Sequence, residues 1–345
     1  MNKKITQQLE SIDINWHKDQ QELWLKQIEK DQVPHALLLL GSRGIGKRSL
    51  AVWMIGKFLS IPPDSSAPAY PHQMPMHADI QWIAPEDGKK SISVDQIRVL
   101  TGALSKTSYL GIGKVALIEP ANLMTPNAAN SLLKTLEEPS GNTLIILVAD
   151  LLQNIPATIR SRCQQINIAK PSMADAIQWL ERANDTIHWQ DQPNYLVENP
   201  LLALDMKDDI EKIPAFKQQL IGLSKKSESP IQVAAAWSKE DPRFVMDWLS
   251  HFLASIIYQV FDENNSRECG LELSFLNKLN KSNLFFFLDA VNKLRNQALG
   301  SYNLQMAYEV LLIDWSTGLD SCNQNQIISD YLPANFFQVA NDGSK

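Results

Sequence analysis

Apolar and polar positions change rhythm near residue 168. Before it, short apolar runs alternate with stretches of helical spacing. His-Ala-Leu-Leu-Leu-Leu at 35–40 ends at Gly41 and predicts a buried strand. Residues 49–59 carry apolar side chains at helical spacing. Asp-Ile-Gln-Trp-Ile at 79–83 predicts a second strand, and Ser93 caps a helix bearing Val94, Ile97, Leu100 and Leu104. Lys-Val-Ala-Leu-Ile at 114–118 predicts a third strand. Thr125 followed by Pro126 opens another helix, since a hydroxyl cap and a first-turn proline both suit an N-terminus. Ala129, Leu132, Leu133 and Leu136 lie on one face of it, and it stops before Pro139. Leu-Ile-Ile-Leu-Val at 144–148 and residues 164–168 complete five strands. This alternation predicts an α/β fold with a parallel sheet covered on both faces.

After residue 168 the pattern predicts helices only. Ser172 and Asp175 resemble a capping box with Asp in the third place. Residues 245–260 keep 3-4 apolar spacing over four turns, and similar helices are predicted at 284–299 and 304–312. The proline- and serine-rich stretch 61–76 predicts a loop, and no repeat of solenoid period occurs. The chain thus reads as an α/β domain over 1–168 followed by an all-helical part large enough to split again.

Composition narrows the class. The 345 residues suggest about two to three domains. An apolar content of 44% with 20% charged excludes disorder over the whole chain. The net charge of −6 lacks the basic footprint of a stand-alone DNA binder, so any DNA contact belongs to a local patch or an assembly. Cys163, Cys269 and Cys322 lie far apart, which fits neither a zinc ribbon nor a disulfide framework and points to a reducing compartment. The N-terminus has no apolar core of a secretory signal, and the apolar runs fall short of the ~20 residues of a membrane span. The expectation is a cytoplasmic protein without a membrane partner.

The candidate chemistry begins at Gly41-Ser-Arg-Gly-Ile-Gly-Lys47, which matches G-x-x-x-x-G-K between a strand and a helix. Gly41, Gly44 and Gly46 let backbone N–H groups wrap a phosphate, and Lys47 reaches its outer oxygens. A hydroxyl should follow to ligate Mg²⁺, but Arg48 stands there. Ser49 does not replace it, because one helical step turns a side chain ~100° away. The partner motif is Leu117-Ile118-Glu119-Pro120. Glu119 is a weak metal-side acid or a solvated strand-end carboxylate. Pro120, where the water-activating acid should be, has no proton acceptor. No metal site is predicted. Arg160 and Arg162 follow the fourth strand, on the far side from the chain's own glycine loop. An arginine there suits a neighbour's γ-phosphate if subunits pack in a ring; alone, it would read as a solvated helix end. Cys163 reads as a packing residue.

Residues 35–51, 78–98, 127–141 and 155–164 resemble the bacterial clamp-loader branch of AAA+ proteins. The likeness is strong over 32–168 and extends to 200–204 and 304–315. It implies a RecA-like P-loop domain over 1–168, a helical lid over 169–207 and a collar over 208–345. The collar would join five subunits in a ring, among them three gamma or tau ATPases and one delta subunit. Ser161-Arg162-Cys163 matches the family's Ser-Arg-Cys motif, which implies that Arg162 is a finger acting on ATP held by an adjacent gamma subunit. Active relatives carry a four-cysteine zinc module that residues 60–80 lack, so no zinc is expected. Their lid arginine is replaced here, where 199–204 reads Asn-Pro-Leu-Leu-Ala-Leu. The resemblance therefore implies little or no intrinsic ATPase and no required cofactor; whether ATP or ADP is held without hydrolysis stays open. The implied work is loading the sliding clamp onto primer-template DNA within the DNA polymerase III complex. Arg98 and Lys106 are candidate phosphate contacts or simply solvated residues. A self-sufficient P-loop ATPase, a gamma or tau subunit and a DNA-binding regulator are the rivals. Arg48 and Pro120 argue against the first two, and the lack of a basic recognition helix against the third.

Overall fold

The computed structural model describes residues 11–61, 66–72, 75–109, 111–150, 152, 155–261, 279–295 and 303–319. The chain forms two compact units, Met1–Asp205 and Met206–Lys345. In the first, β1 (Ile12–Asp13) and β3 (Ala69–Tyr70) pair antiparallel in a small sheet. The main sheet is parallel and comprises β2 (Ala36–Leu40), β4 (Ile80–Ile83), β5 (Lys114–Ile118), β6 (Thr143–Ala149) and β7 (Gln164–Asn167). Its order is β4-β5-β6-β2-β7.

Every residue of β2 and β6 is buried, as expected of central strands covered on both faces. Alternation assigns the two faces. Leu38 and Leu40 join Ile97, Leu100, Leu132 and Leu136 in one cluster. Leu37 and Leu39 join Trp24, Leu50, Met54 and Phe58 in another. The covering helices are α1 (Lys18–Glu29) and α2 (Lys47–Leu59) on one side, α3 (Val94–Leu104) and α4 (Pro126–Glu137) on the other. Ser93 closes a reciprocal capping box with Gln96, and the Ala128 amide donates to the Thr125 hydroxyl at 3.2 Å. The Asp175 amide donates to Ser172 Oγ at 3.1 Å, but Ser172 spends its own proton on Asp175 Oδ2 at 2.6 Å.

The strand order sets the place of the site. β2 lies between β6 and β7: the chain runs from β2 to the β4 edge, works back to β6, and then crosses to β7 on the other side of β2. In such sheets the crevice at the carboxyl end of the strand where the order reverses is where ligands bind. The Gly41 loop leaves β2 at that end. Short helices α5 (Ala157–Arg160), α6 (Met173–Ala183), α7 (Asn194–Val197) and α8 (Pro200–Asp205) complete this unit.

The second unit is helical throughout its described residues: α9 (Lys207–Ile210), α10 (Ile213–Ser224), α11 (Pro230–Trp237), α12 (Pro242–Phe261), α13 (Lys281–Arg295) and α14 (Leu304–Ser316). Its core is aromatic. Trp248 stacks on Phe252 with ring centroids 5.2 Å apart, and Phe216 and Trp237 pack against Trp248 at 5.2 and 5.8 Å. Trp315 Nε1 donates to the Leu220 carbonyl at 2.9 Å. Among the described residues α12 alone is long and apolar enough to cross a membrane by length and composition, yet half of it is buried inside the protein, on this core. The Phe285–Phe287 run divides: Phe287 is buried, Phe286 half-buried and Phe285 exposed. The predicted extension of α13 to residue 299, and Cys269 and Cys322, lie outside the described residues.

Candidate functional site

The glycine loop is brought together with Glu119 as the sequence predicts, but its polar groups are already partnered within the chain. Gly46 is left-handed, with φ +87°, and caps α2. Lys47 follows and is buried. Its Nζ donates to the Gly41 carbonyl at 2.8 Å, the Ser42 carbonyl at 2.6 Å and Asp150 Oδ1 at 2.9 Å. An ammonium has three N–H groups, so its full complement is met internally. Asp150 reaches it by register: Ala149 pairs with Leu40, so the next residue of each strand meets at the loop.

Arg48 turns onto Glu119, its Nε bonded to Glu119 Oε2, and its guanidinium lies 5.3 Å from the centre of the Trp82 ring. Glu119 directly follows β5 and its side chain is only 12% exposed, so it is not a solvated strand-end carboxylate. Burial pushes its carboxyl above the ordinary range, while the Arg48 hydrogen bond and charge pull it down. Ser49 is buried and its Oγ has no hydrogen-bond partner among the described residues.

The loop is also covered. The Leu201 amide at the start of α8 donates to the Gly44 carbonyl at 2.9 Å. A Cβ on Gly44 would lie 2.5 Å from Leu202 Cβ and 2.8 Å from its nitrogen, so only glycine fits beneath the helix. Tyr70 Oη donates to Asp205 Oδ1 at 2.6 Å. Trp16 Nε1 donates to the Ile45 carbonyl at 2.9 Å, and Trp16 and Tyr70 both pack edgewise on Trp179 of α6. His17 is fully buried under Gly46, where burial pushes its imidazole down to about 4. Burial, aided by the Arg48 charge, also pushes His72 down to about 4.

What remains is a cleft of about 250 Å³ lined by Arg43, Lys47, Arg48, His72, Glu119 and Leu202. Ligand pockets usually hold roughly 300–1,000 Å³. The position after Lys47 carries Arg48 in place of a hydroxyl, the acid after β5 is spent on that arginine, and a leucine covers the loop. This set does not suit a magnesium nucleotide.

Arg162 lies elsewhere. Gln164 pairs with Leu37 and Asn167 with Leu40, so Arg162 precedes β7 at the amino end of the sheet while Gly41 leaves the carboxyl end. The four paired residues between them span roughly 13 Å at 3.3 Å per residue. Arg162 Nε donates to Glu137 Oε1 at 2.7 Å, and Nη2 pairs with the same oxygen. Nη1 donates to the Thr158 carbonyl at 2.9 Å and to Ser161 Oγ at 3.3 Å. The side chain is 34% exposed. Arg160 is half-buried, its Nε without a partner among the described residues. Cys163 packs against the sheet cluster, and burial pushes its thiol up to about 11, which suits a packing residue. Arg98 pairs with Asp95 at 3.2 Å in solvent, and Lys106 is exposed.

Sequence reasoning missed Asp150, Tyr70, His17, His72, Asp205 and Glu137. Only Asp150 had a local signal, an acid immediately after the strand that borders β2.

A parallel sheet with a glycine loop where its order reverses defines a P-loop α/β fold, here followed by a separate unit that is helical in its described residues. Residues 16–172 match the family described as "DNA polymerase III, delta subunit", and residues 207–317 match "DNA polymerase III, delta subunit, C terminal". The chain is 31% identical over 326 residues to the DNA polymerase III subunit delta' of Pseudomonas aeruginosa, covering 86% of this chain and 96% of that one. It is 28% identical over 300 residues to the Haemophilus influenzae subunit delta', covering 83% and 90%. Against the Escherichia coli K12 subunit delta' it is 35% identical over 155 residues, 43% of this chain and 46% of that one. The chain belongs to the DNA polymerase III delta prime family.

Proposed function

We propose that this chain acts in the clamp loader as a ring member that does little or no hydrolysis itself and lends Arg162 to ATP held by a neighbouring gamma or tau subunit. The observation that carries this is Lys47, whose three donors are taken by Gly41, Ser42 and Asp150. A nucleotide would have to break all three and displace Leu202 from the loop. Arg48 on Glu119 supports the same reading, because a cation and a guanidinium compete for one carboxylate. Delta completes the set of proposed direct partners. The sliding clamp and primer-template DNA are met through the complex, in the cytoplasm. No cofactor is required.

Phosphoryl transfer depends on positioning and electrostatic terms that this loop lacks. ATP turnover by the purified chain should lie far below ~1 per second, the low end of typical enzymes. Equilibrium titration should show no saturable ATP binding at micromolar concentrations. Turnover near that rate would overturn the reading.

A further inference from the structure

We propose that Glu137 is the positioning residue for Arg162. This rests on the trans reading of Arg162 and deepens it. A guanidinium is planar and offers five N–H groups. Its side edge, formed by Nε and Nη2, is held by the Glu137 carboxylate. Nη1 is tied to the Thr158 carbonyl and Ser161. Four of the five N–H groups are thus met within the chain and one, on Nη2, is unspent; a phosphate at the Nη1–Nη2 end takes Nη1 from Thr158 and Ser161 while Glu137 goes on holding the other edge.

Both halves of the pair stand on fixed elements. Glu137 is the last residue of α4, whose Leu132 and Leu136 are buried in the sheet cluster. The α5 turn is pinned into the same cluster by Ile159, and the Arg162 amide closes that turn on the Ile159 carbonyl at 3.0 Å. A long flexible side chain, which otherwise samples many rotamers, is thereby held in one direction. The pair is half in solvent, so it adds little to stability and its variants should fold. Glu138 is an internal control: it carries the same charge one residue on, and no hydrogen bond or ion pair joins it to Arg162 among the described residues.

The test is single-turnover ATP hydrolysis by reconstituted gamma/tau, delta and full-length delta prime complexes, stimulated by clamp and primed DNA. E137A should slow the phase belonging to one site by about 10- to 100-fold, the effect of misplacing a catalytic group by about 1 Å. ATP affinity and complex assembly should be unchanged. E137Q should recover part of the rate, because its amide oxygen still accepts one N–H, and E138A should match wild type. The double variant E137A/R162A should be no slower than R162A. A normal or faster rate for E137A beside a slow R162A would overturn this proposal and leave the finger standing, and so would additive losses in the double variant. A normal rate for R162A would overturn the finger itself, and this proposal with it.

Discussion

Two arginine–carboxylate pairs sit in the first unit and do opposite things. Arg48 and Glu119 meet at the carboxyl end of the sheet, beside the glycine loop, with the carboxylate only 12% exposed. Arg162 and Glu137 meet at the amino end, with both partners a third to a half exposed. The first pair consumes the chemistry of a nucleotide site. Each partner cancels the other where a metal and a phosphate would need them separate. In the second pair the carboxylate takes only the Nε–Nη2 edge of its arginine, and Nη1 rests on the Thr158 carbonyl and Ser161 Oγ of its own turn. The same two residue types thus make a buried pair at one end of the sheet and a half-exposed one at the other, and the proposed roles follow from that difference in burial.

The largest expected effect separates the two ends directly. An arginine finger contributes about 10³- to 10⁵-fold in rate. Arg162→Ala should slow hydrolysis by that order at a single neighbouring site while leaving the melting temperature of this chain within about 2 °C, because a half-exposed ion pair contributes at most about 1 kcal/mol. Arg162→Lys should not restore the rate, since an ammonium cannot make the planar bidentate contact. A fall in stability without a fall in rate would reverse the roles assigned to the two corners.

Next in size is a pH effect confined to the loop. Buried His17 has its imidazole lowered to about 4 from an ordinary 6.5. Between those values the unfolded chain binds a proton that the native chain refuses. The native contribution is therefore complete above about pH 6.5 and lost as pH falls toward 4. A shift of this size is worth about 3 kcal/mol. His72, half-buried, acts in the same direction. Denaturant unfolding of wild type and His17→Leu across this window should show a shallower pH slope for the variant, with the Arg162-dependent rate untouched. Parallel slopes would mean that His17 is not held neutral under the loop.

The sheet was legible because its strands are continuous apolar runs, and burial on both faces requires them. The helix starts were legible because Ser93 and Thr125 announce caps. The candidate site was half legible. Arg48 and Pro120 reported missing parts, but what fills their places was not readable, since Asp150 and Glu137 find their partners only through strand register and helix packing. Helix α1 and the segment around Trp16 were missed outright. That helix has few apolar positions and buries only Trp24, too little for a periodicity signal. The part of α8 in covering Gly44 could not be seen either, because Leu202 reads as an ordinary apolar residue until its distance from the loop is known.

The smallest effect sharpens the comparison from the buried side. Arg48→Ala strands a carboxylate that is mostly removed from water. For fully buried pairs such a loss is large, but Arg48 is 39% exposed and water can partly replace it. The expected cost is about 1–3 kcal/mol at neutral pH, the usual range for a buried polar group left without its partner. Burial already favours the protonated Glu119, so the variant can escape the penalty by taking up a proton. Its deficit relative to wild type should therefore narrow as pH falls toward the ordinary carboxyl range. The rate at the neighbouring ATP site should be unchanged, because Arg48 stands at the other end of the sheet from Arg162. Arg48→Thr, which replaces the missing hydroxyl, should lose similar stability and still show no turnover. Pro120 gives no base, and Lys47 remains bonded to Gly41, Ser42 and Asp150. Hydrolysis by Arg48→Thr at rates typical of an ATPase would show that Arg48 alone blocks the loop, and the other contacts would then be consequences of its presence rather than independent closures.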